Sequence, residues 1–380
     1  MKLKYFAPVL AILLHACAIQ VSEVTPIGAF PTADVVATSP PGVPSTGPTA
    51  TYPGTVPPAS TIAPASNSLS DLNLSGRLIY SQGINGLWQI DMQTGEQTQL
   101  WQLPERGYLS GIAATSNGDQ LILAYASPPP EGTPQLGATD IYLAAPDLSS
   151  MDLLLERSVQ YESYSNPTVS PDGLWLYYAH VTPTFDAVGN TTGPSFGIER
   201  VSISGGEPEM IIPNGYQPSI SVDGSHLVYL LFDFETYTWS LWIADSDGAN
   251  ASELVPDSSF FAMAGPHLSP DGSVVSFAAS GEMNAEANEP TLREWLLSWL
   301  GAAPVQAHGP PWEIWTVPAT GGTPEQQTEL LIDSPWTVWS PDGVYFALVH
   351  PGGILLIGAD DPRYLGVSVG HGEIIWVSDA

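Results

Sequence analysis

The chain has 380 residues and a formal net charge of -31, from 39 acidic residues against only 8 lysines and arginines. Both lysines, Lys2 and Lys4, lie at the very start, and six dispersed arginines (Arg77, Arg106, Arg157, Arg200, Arg293 and Arg363) serve everything after them. Clustered cations are what hold phosphate backbones and anionic membrane surfaces, so neither is a partner for this body; Schiff-base chemistry and lysine-ended phosphate loops are excluded with them.

Lys2 and Lys4 precede an apolar run from Tyr5 to Leu14 and then Leu14-His15-Ala16-Cys17. A basic start, a short apolar core and a small residue before a cut site predict a secretory signal, since a spanning helix needs about 20 apolar residues. Cys17 is the only cysteine. It stands where a bacterial lipoprotein signal places its lipid-bearing residue, although His15 departs from the usual lipobox; cleavage after Ala18 is the alternative. Residues 1–17 are therefore read as a lipoprotein-type signal peptide, and the mature protein as exported and lipid-anchored, facing the outside or the periplasm. Residues 18–70 are rich in Pro, Thr, Ser, Ala and Gly. Such a stretch cannot bury enough apolar surface to fold, and it predicts a disordered tether of about 150 Å at full reach.

From residue 71 onwards a unit recurs. Ser170-Pro171-Asp172-Gly173, Ser221-Val222-Asp223-Gly224, Ser269-Pro270-Asp271-Gly272 and Ser340-Pro341-Asp342-Gly343 are clear copies, with Ser116-Asn117-Gly118 as a degenerate fifth. Proline presets the turn, Asp bonds the backbone ahead of it and Gly accepts positive φ, so each copy is a hairpin turn and its aspartate is structural. A third strand (Ser240-Leu241-Trp242-Ile243-Ala244 is one) and a Gly-containing turn to a fourth complete each unit. Four short strands in about 50 residues predict a propeller blade. Five units are complete. The segment from Arg77 to Leu100 lacks a first strand, and the C-terminal Glu373–Val377 supplies one. The fold class is therefore all-β, a six-bladed β-propeller over residues 71–380 closed by its joined ends.

The repeated turn and its strands resemble the WD-like repeat of TolB-like proteins and of peptidase-linked propellers. The resemblance implies a β-propeller fold. It covers the propeller alone, since TolB-like proteins usually carry an α/β domain where this chain has the tether.

In such a propeller the Ser-Pro-Asp-Gly turns share one face. Extended second-to-third-strand loops load the other: Ser127 to Thr139, Val181 to Gly197, Asp233 to Thr238 and Gly281 to Pro311. Long loops in excess of turn requirements carry function. The 281–311 insertion holds an amphipathic helix signal, with Leu292, Trp295, Leu296, Trp299 and Leu300 on one side. It predicts either packing on the rim or docking of a partner. Near the channel mouth the repeat places Tyr164, Asn166, Tyr216, Gln217, His267, Trp336 and His371, with His180 and His350 in matching positions of two blades. These, with Trp295 and Trp299, form the candidate binding face. No histidine pair has metal-ligand spacing, and no cofactor or catalytic residue is expected. Gly193-Pro194-Ser195-Phe196-Gly197 copies a hydrolase nucleophile pattern without the strand-to-helix elbow it needs. Asp245-Ser246-Asp247-Gly248 is read as a hairpin turn and not a calcium loop. The leading expectation is a monomeric, non-enzymatic lipoprotein that binds a protein or peptide of the cell envelope. Small-molecule or glycan binding at the channel mouth is the alternative, followed by a lactonase-like or glycan-active propeller.

Overall fold

The computed structural model describes residues 69, 72, 74–81, 86–133, 137–159, 161–189, 191–282, 312–328, 336–350, 353–358, 363–365 and 372–378. The stretch read above as a signal peptide, with Cys17, nearly all of the stretch read as a tether, and the segment carrying Trp295 and Trp299 lie outside them.

Among the described residues, 24 strands form six four-stranded antiparallel sheets. β1 (Arg77–Ser81), β2 (Leu87–Asp91) and β3 (Gln97–Trp101) open the chain. Blade one is β4 (Tyr108–Ala114), β5 (Leu121–Ala126), β6 (Asp140–Ala144) and β7 (Met151–Leu155). Blade two is β8 (Ser163–Val169), β9 (Trp175–Phe185), β10 (Thr191–Ser202) and β11 (Glu209–Pro213). Blade three is β12 (Gly215–Ile220), β13 (His226–Asp233), β14 (Thr238–Asp245) and β15 (Ser252–Val255). Blade four is β16 (Phe260–Leu268), β17 (Val274–Glu282), β18 (Trp312–Pro318) and β19 (Glu325–Gln326). Blade five is β20 (Thr337–Trp339), β21 (Tyr345–His350), β22 (Gly353–Gly358) and β23 (Arg363–Leu365), and β24 (Ile374–Val377) ends the order. β24 pairs with β1, Arg77 opposite Val377 and Tyr80 opposite Ile374, so the sixth blade is built from both ends of the propeller.

The core explains why the inner strands are apolar on both sides. Six buried clusters each join two neighbouring blades. Ile122 and Ile141 of blade one meet Leu176 and Tyr178 of blade two, and Val228 and Leu241 of blade three meet Phe277 and Trp315 of blade four. Leu78 and Ile90 of the sixth blade meet Leu356 of blade five, which closes the circle. A sheet sandwiched on both faces needs continuous apolar strands: every residue of β5, Leu121 to Ala126, is buried. Closure also pairs the sheet edge that an open array would leave exposed.

The recurrent turn works as its residues dictate. Ser170 Oγ donates to Asp172 Oδ1 at 2.5 Å and accepts from Trp175 N at 2.9 Å, while Leu174 N donates to the same carboxylate at 3.0 Å. Gly173 takes φ +70°. The serine-to-aspartate bond recurs at Ser221–Asp223, Ser269–Asp271 and Ser340–Asp342. Blade one uses a different residue from the one its sequence suggests. Thr115, and not Ser116, takes the serine's place, donating to Asp119 at 2.7 Å and accepting from Gln120 N at 3.1 Å. Two of the expected loops are also ladders. Val181 to Gly197 is largely a ribbon, with Val181 opposite Phe196 and Thr184 opposite Gly193, and Asp233 pairs directly with Thr238. Gly193-Pro194-Ser195-Phe196-Gly197 lies within β10, so Ser195 sits on a strand and not on an elbow. The stretch from Asp245 to Gly248 is the turn between β14 and β15, closed by Gly248 N donating to Asp245 O at 2.8 Å.

Candidate functional site

First strands line the central channel, and those of blades two, three and four are bulged at the same place. The register slips between Ser165 and Thr168, between Tyr216 and Ser219 and between Ala264 and His267. The residue that absorbs the slip is Asn166 (φ +50°), Gln217 (φ +51°) or Gly265 (φ +56°). A bulge of this kind re-aims the side chain it carries, and here it gathers predicted residues from successive blades. Gln217 Oε1 accepts from Gly265 N at 2.8 Å, and Ser219 Oγ meets His267 Nδ1 at 3.0 Å. The Trp336 ring lies so close to Gly265 that a Cβ there would be 3.5 Å from it. Burial holds the His267 imidazole down to about 4, so it is neutral.

The residue that sequence reasoning missed is Glu373. Its Oε2 accepts from Ile112 N at 2.7 Å and its Oε1 from Asn166 Nδ2 at 2.8 Å, which ties together the first strands of blades six, one and two. Gly111 makes the approach possible. A Cβ there would be 2.5 Å from Pro167 Cδ and 3.2 Å from Glu373 Oε2. Glu373 is half-buried. Burial therefore pushes its carboxyl up to about 8, against the two N–H donors that pull the other way. The only signal in the sequence was a single acid ahead of an apolar strand, at the repeat position that holds Ser165 and Tyr216 in blades two and three.

A second group lies in blade two. His180 Nε2 meets Glu162 Oε1 at 2.8 Å and its Nδ1 meets Glu199 Oε1 at 2.9 Å. Tyr178 donates to Glu199 at 2.8 Å, and Ser158 Oγ and Val159 N donate to Glu162 at 2.9 and 3.2 Å. With both ring nitrogens on carboxylates the cationic form of the imidazole is favoured. Burial lowers its pKa, but Glu199 and Glu162 together raise it above the ordinary value. The Tyr164 ring lies 4.8 Å from the imidazole, tilted 45° to it, and burial, then the charges of Glu162 and Glu199, push its phenol up to about 12. His180 is thus clamped within its own blade. His350, its counterpart, ends β21 with its side chain outside the described residues, as is all of His371.

The third group is apolar. Phe196 packs against Tyr216, Phe232, Phe234 and Trp239 at centroid distances of 5.5, 5.4, 5.9 and 5.6 Å. Phe232 adds Tyr237 at 6.2 Å. Phe234 and Tyr237 are 37% and 47% exposed, and Phe185 and Val188 of the adjoining ribbon 54% and 82%, which leaves part of this cluster facing solvent. Asp233 and Glu235 flank it, and Asp257 accepts from Thr238 Oγ1 at 2.7 Å beside it. Of the candidate residues, Tyr216 belongs here; Asn166, Gln217, His267 and Trp336 belong to the channel, and Tyr164 and His180 to the clamp. Among the described residues no group of three or more His, Cys, Asp and Glu is placed to hold a metal ion.

The structural neighbours share this architecture. TolB from Acinetobacter baumannii superposes with TM-score 0.54 at 13% identity, over 80% of this chain and 66% of that one. The fold is a TolB-like six-bladed β-propeller. A nidogen/laminin complex gives TM-score 0.54 at 10% identity, over 80% of this chain and 100% of that one. Putative TolB from Agrobacterium tumefaciens gives 0.48 at 18% identity, over 77% and 88%. No family model matches the sequence, and no curated protein matches it.

Proposed function

We propose that this chain is an exported envelope protein, tethered through lipid on Cys17, whose propeller binds a cationic protein or peptide segment on the face opposite the Ser-Pro-Asp-Gly turns. The observation that carries the reading is the part-exposed ring cluster around Phe196, with Asp233, Glu235 and Asp257 at its edge. Rigid aromatic rings are the usual anchors of a protein interface, and a carboxylate rim selects and steers a basic partner. The arginines support the same sign of charge. Arg77 is spent on Gly118 O, Arg106 on Thr133 O, Arg157 on Asp140 and Ala138, and Arg200 on Glu209 and the Trp175 ring. The TolB-like fold and the N-terminal pattern support the location.

The full chain panned against a random peptide library is expected to select Lys- or Arg-bearing peptides with an aromatic or aliphatic neighbour. Their affinity should fall at least tenfold in the Phe234→Ser/Tyr237→Ser double variant, and fall again as salt is raised from about 50 to about 500 mM. Acidic selected peptides, or binding indifferent to the double variant, would overturn the reading. Cys17→Ser should move the protein from the membrane to the soluble fraction; retention in the membrane would remove the anchor from the proposal.

A further inference from the structure

His180 does more than bridge two acids, because one of them closes the connection that leads into blade two. Glu162 meets His180 Nε2 through Oε1, at 2.8 Å. Its other oxygen, Oε2, accepts from Ser158 N, from Ser158 Oγ at 2.9 Å and from Val159 N at 3.2 Å. Val159 and Tyr161 of this connection are 50% and 51% exposed, and Tyr161 takes φ +71°, a strained conformation for tyrosine that neighbouring contacts must hold. His180 lies opposite Gly197 in the ribbon, one step from Val181 opposite Phe196, so the clamp borders the ring cluster.

A neutral imidazole carries one N–H and a cationic one carries two. Two carboxylates that each accept from the ring therefore require the cation. When the proton leaves, one carboxylate keeps its donor and the other faces a lone pair. Glu162 has three further donors from Ser158 and Val159, whereas Glu199 has the Tyr178 hydroxyl, at 2.8 Å. The remaining N–H accordingly stays on Glu199, and Glu162 loses its hold on the sheet. The other charges around the ring leave this balance intact. Glu162 and Tyr164 face the imidazole from the start of blade two and Glu199 from β10, while Asp140, beyond Tyr164, is offset by Arg157 at 3.6 Å.

We infer that His180 is a proton-operated latch: when protonated it pins the 158–162 connection to the sheet beside the ring cluster, and when neutral it releases it. Burial lowers the imidazole, but Glu199 and Glu162 outweigh burial and raise it above 6.5. The latch is therefore made at pH 6.5 and opens as pH rises through the folded value. It is a property of this chain alone and stands whether or not the ring cluster seats a partner.

Hydrogen exchange of the full chain at about pH 6 and about pH 9, read by mass spectrometry and corrected for the chemical exchange rate, tests this. Protection within residues 158–162 should fall about tenfold to a hundredfold between the two, as expected for losing a hydrogen bond to a charged group, while the amides of β5 change far less. His180→Gln, which carries no charge, should show the low protection at both pH values. Glu162→Gln separates a latch from a merely structural contact. Its amide nitrogen, in place of Oε1, donates to the lone pair of a neutral His180, and its oxygen, in place of Oε2, keeps Ser158 and Val159. That variant should hold the connection and lose the pH dependence. A thermal transition near the parent's shows that each variant is folded. Equal protection at the two pH values in the parent would defeat the latch. So would a fall in protection that persists in Glu162→Gln, or protection in His180→Gln that matches the parent at pH 6.

Discussion

Replacing Glu373 by Gln should change how the stability of the propeller depends on pH. The folded carboxyl is raised from an ordinary 4.5 to about 8, so across that window the native state holds a proton that the unfolded chain has released. The sign follows directly: the raised group contributes fully below pH 4.5, and its contribution is lost as pH rises towards 8. Each pH unit in the window removes about 1.4 kcal/mol, or about 3–5 kcal/mol in all. The isosteric amide keeps both contacts, with its oxygen on Ile112 N and its nitrogen on Asn166 Oδ1 once that side chain turns over. The variant therefore lacks the slope and should be the more stable protein at pH 8 to 9. Urea unfolding of both proteins, followed by tryptophan fluorescence at pH 5, 6, 7, 8 and 9, reads the difference between them and so cancels contributions from other groups. Parallel pH profiles for the two proteins would refute the enclosed-carboxyl argument.

His180→Phe strands Glu162 and Glu199 without their shared cation, at about 3–5 kcal/mol, read as a lower denaturation midpoint. In the parent protein His180, raised above 6.5, stabilises fully below that value and loses its contribution as pH rises through its folded pKa. Glu162 and Glu199, lowered below 4.5, stabilise fully above that value and lose their contribution as pH falls. The clamp is therefore strongest between about pH 4.5 and 6.5, and His180→Phe should show its largest deficit there. Ser221→Ala removes the hydroxyl that donates to Asp223 at 2.6 Å and accepts from His226 N at 2.9 Å. Loss of both bonds at a buried position should cost about 1–3 kcal/mol, and a midpoint within error of the parent would contradict the turn mechanism.

The fold was legible because its rules are local and repeated. A Ser-Pro-Asp-Gly turn needs only its own four residues and the amide that follows, so Ser170, Ser221, Ser269 and Ser340 declare themselves. The closing blade was legible because Arg77–Ser81 lacked an inner partner and Ile374–Val377 lacked an outer one. Thr115 escaped because a threonine hydroxyl does the work of serine with its aspartate four residues on, at Asp119, and not two. The ribbon from Val181 to Gly197 escaped because Pro183, Gly193 and Pro194 read as loop residues, although an end-of-sheet ribbon tolerates proline where no ladder donor is needed.

The site was less legible for a physical reason that the fold makes plain. Asn166 and Gln217 could be placed at the channel because repeat alignment puts them there, but alignment says which blade a residue serves and not what lies across the axis from it. Glu373 meets Asn166 from 207 positions away and Ile112 from 261. The local sequence marks it only as a single acid, since its neighbours are those of an ordinary first strand. What sets it apart is the bulge, which swings Asn166 inward, and Gly111, whose missing side chain leaves room for the carboxylate. The same limit applies to His180. Its match with His350 suggested a shared site, whereas its pKa and its partners come from Glu162, ahead of one strand, and Glu199, on the ribbon. In a propeller the repeat determines which side chains reach the mouth, while chemistry arises from the single departures from the repeat, and the mouth of this one is distinguished by an acid that no other first strand places there among the described residues.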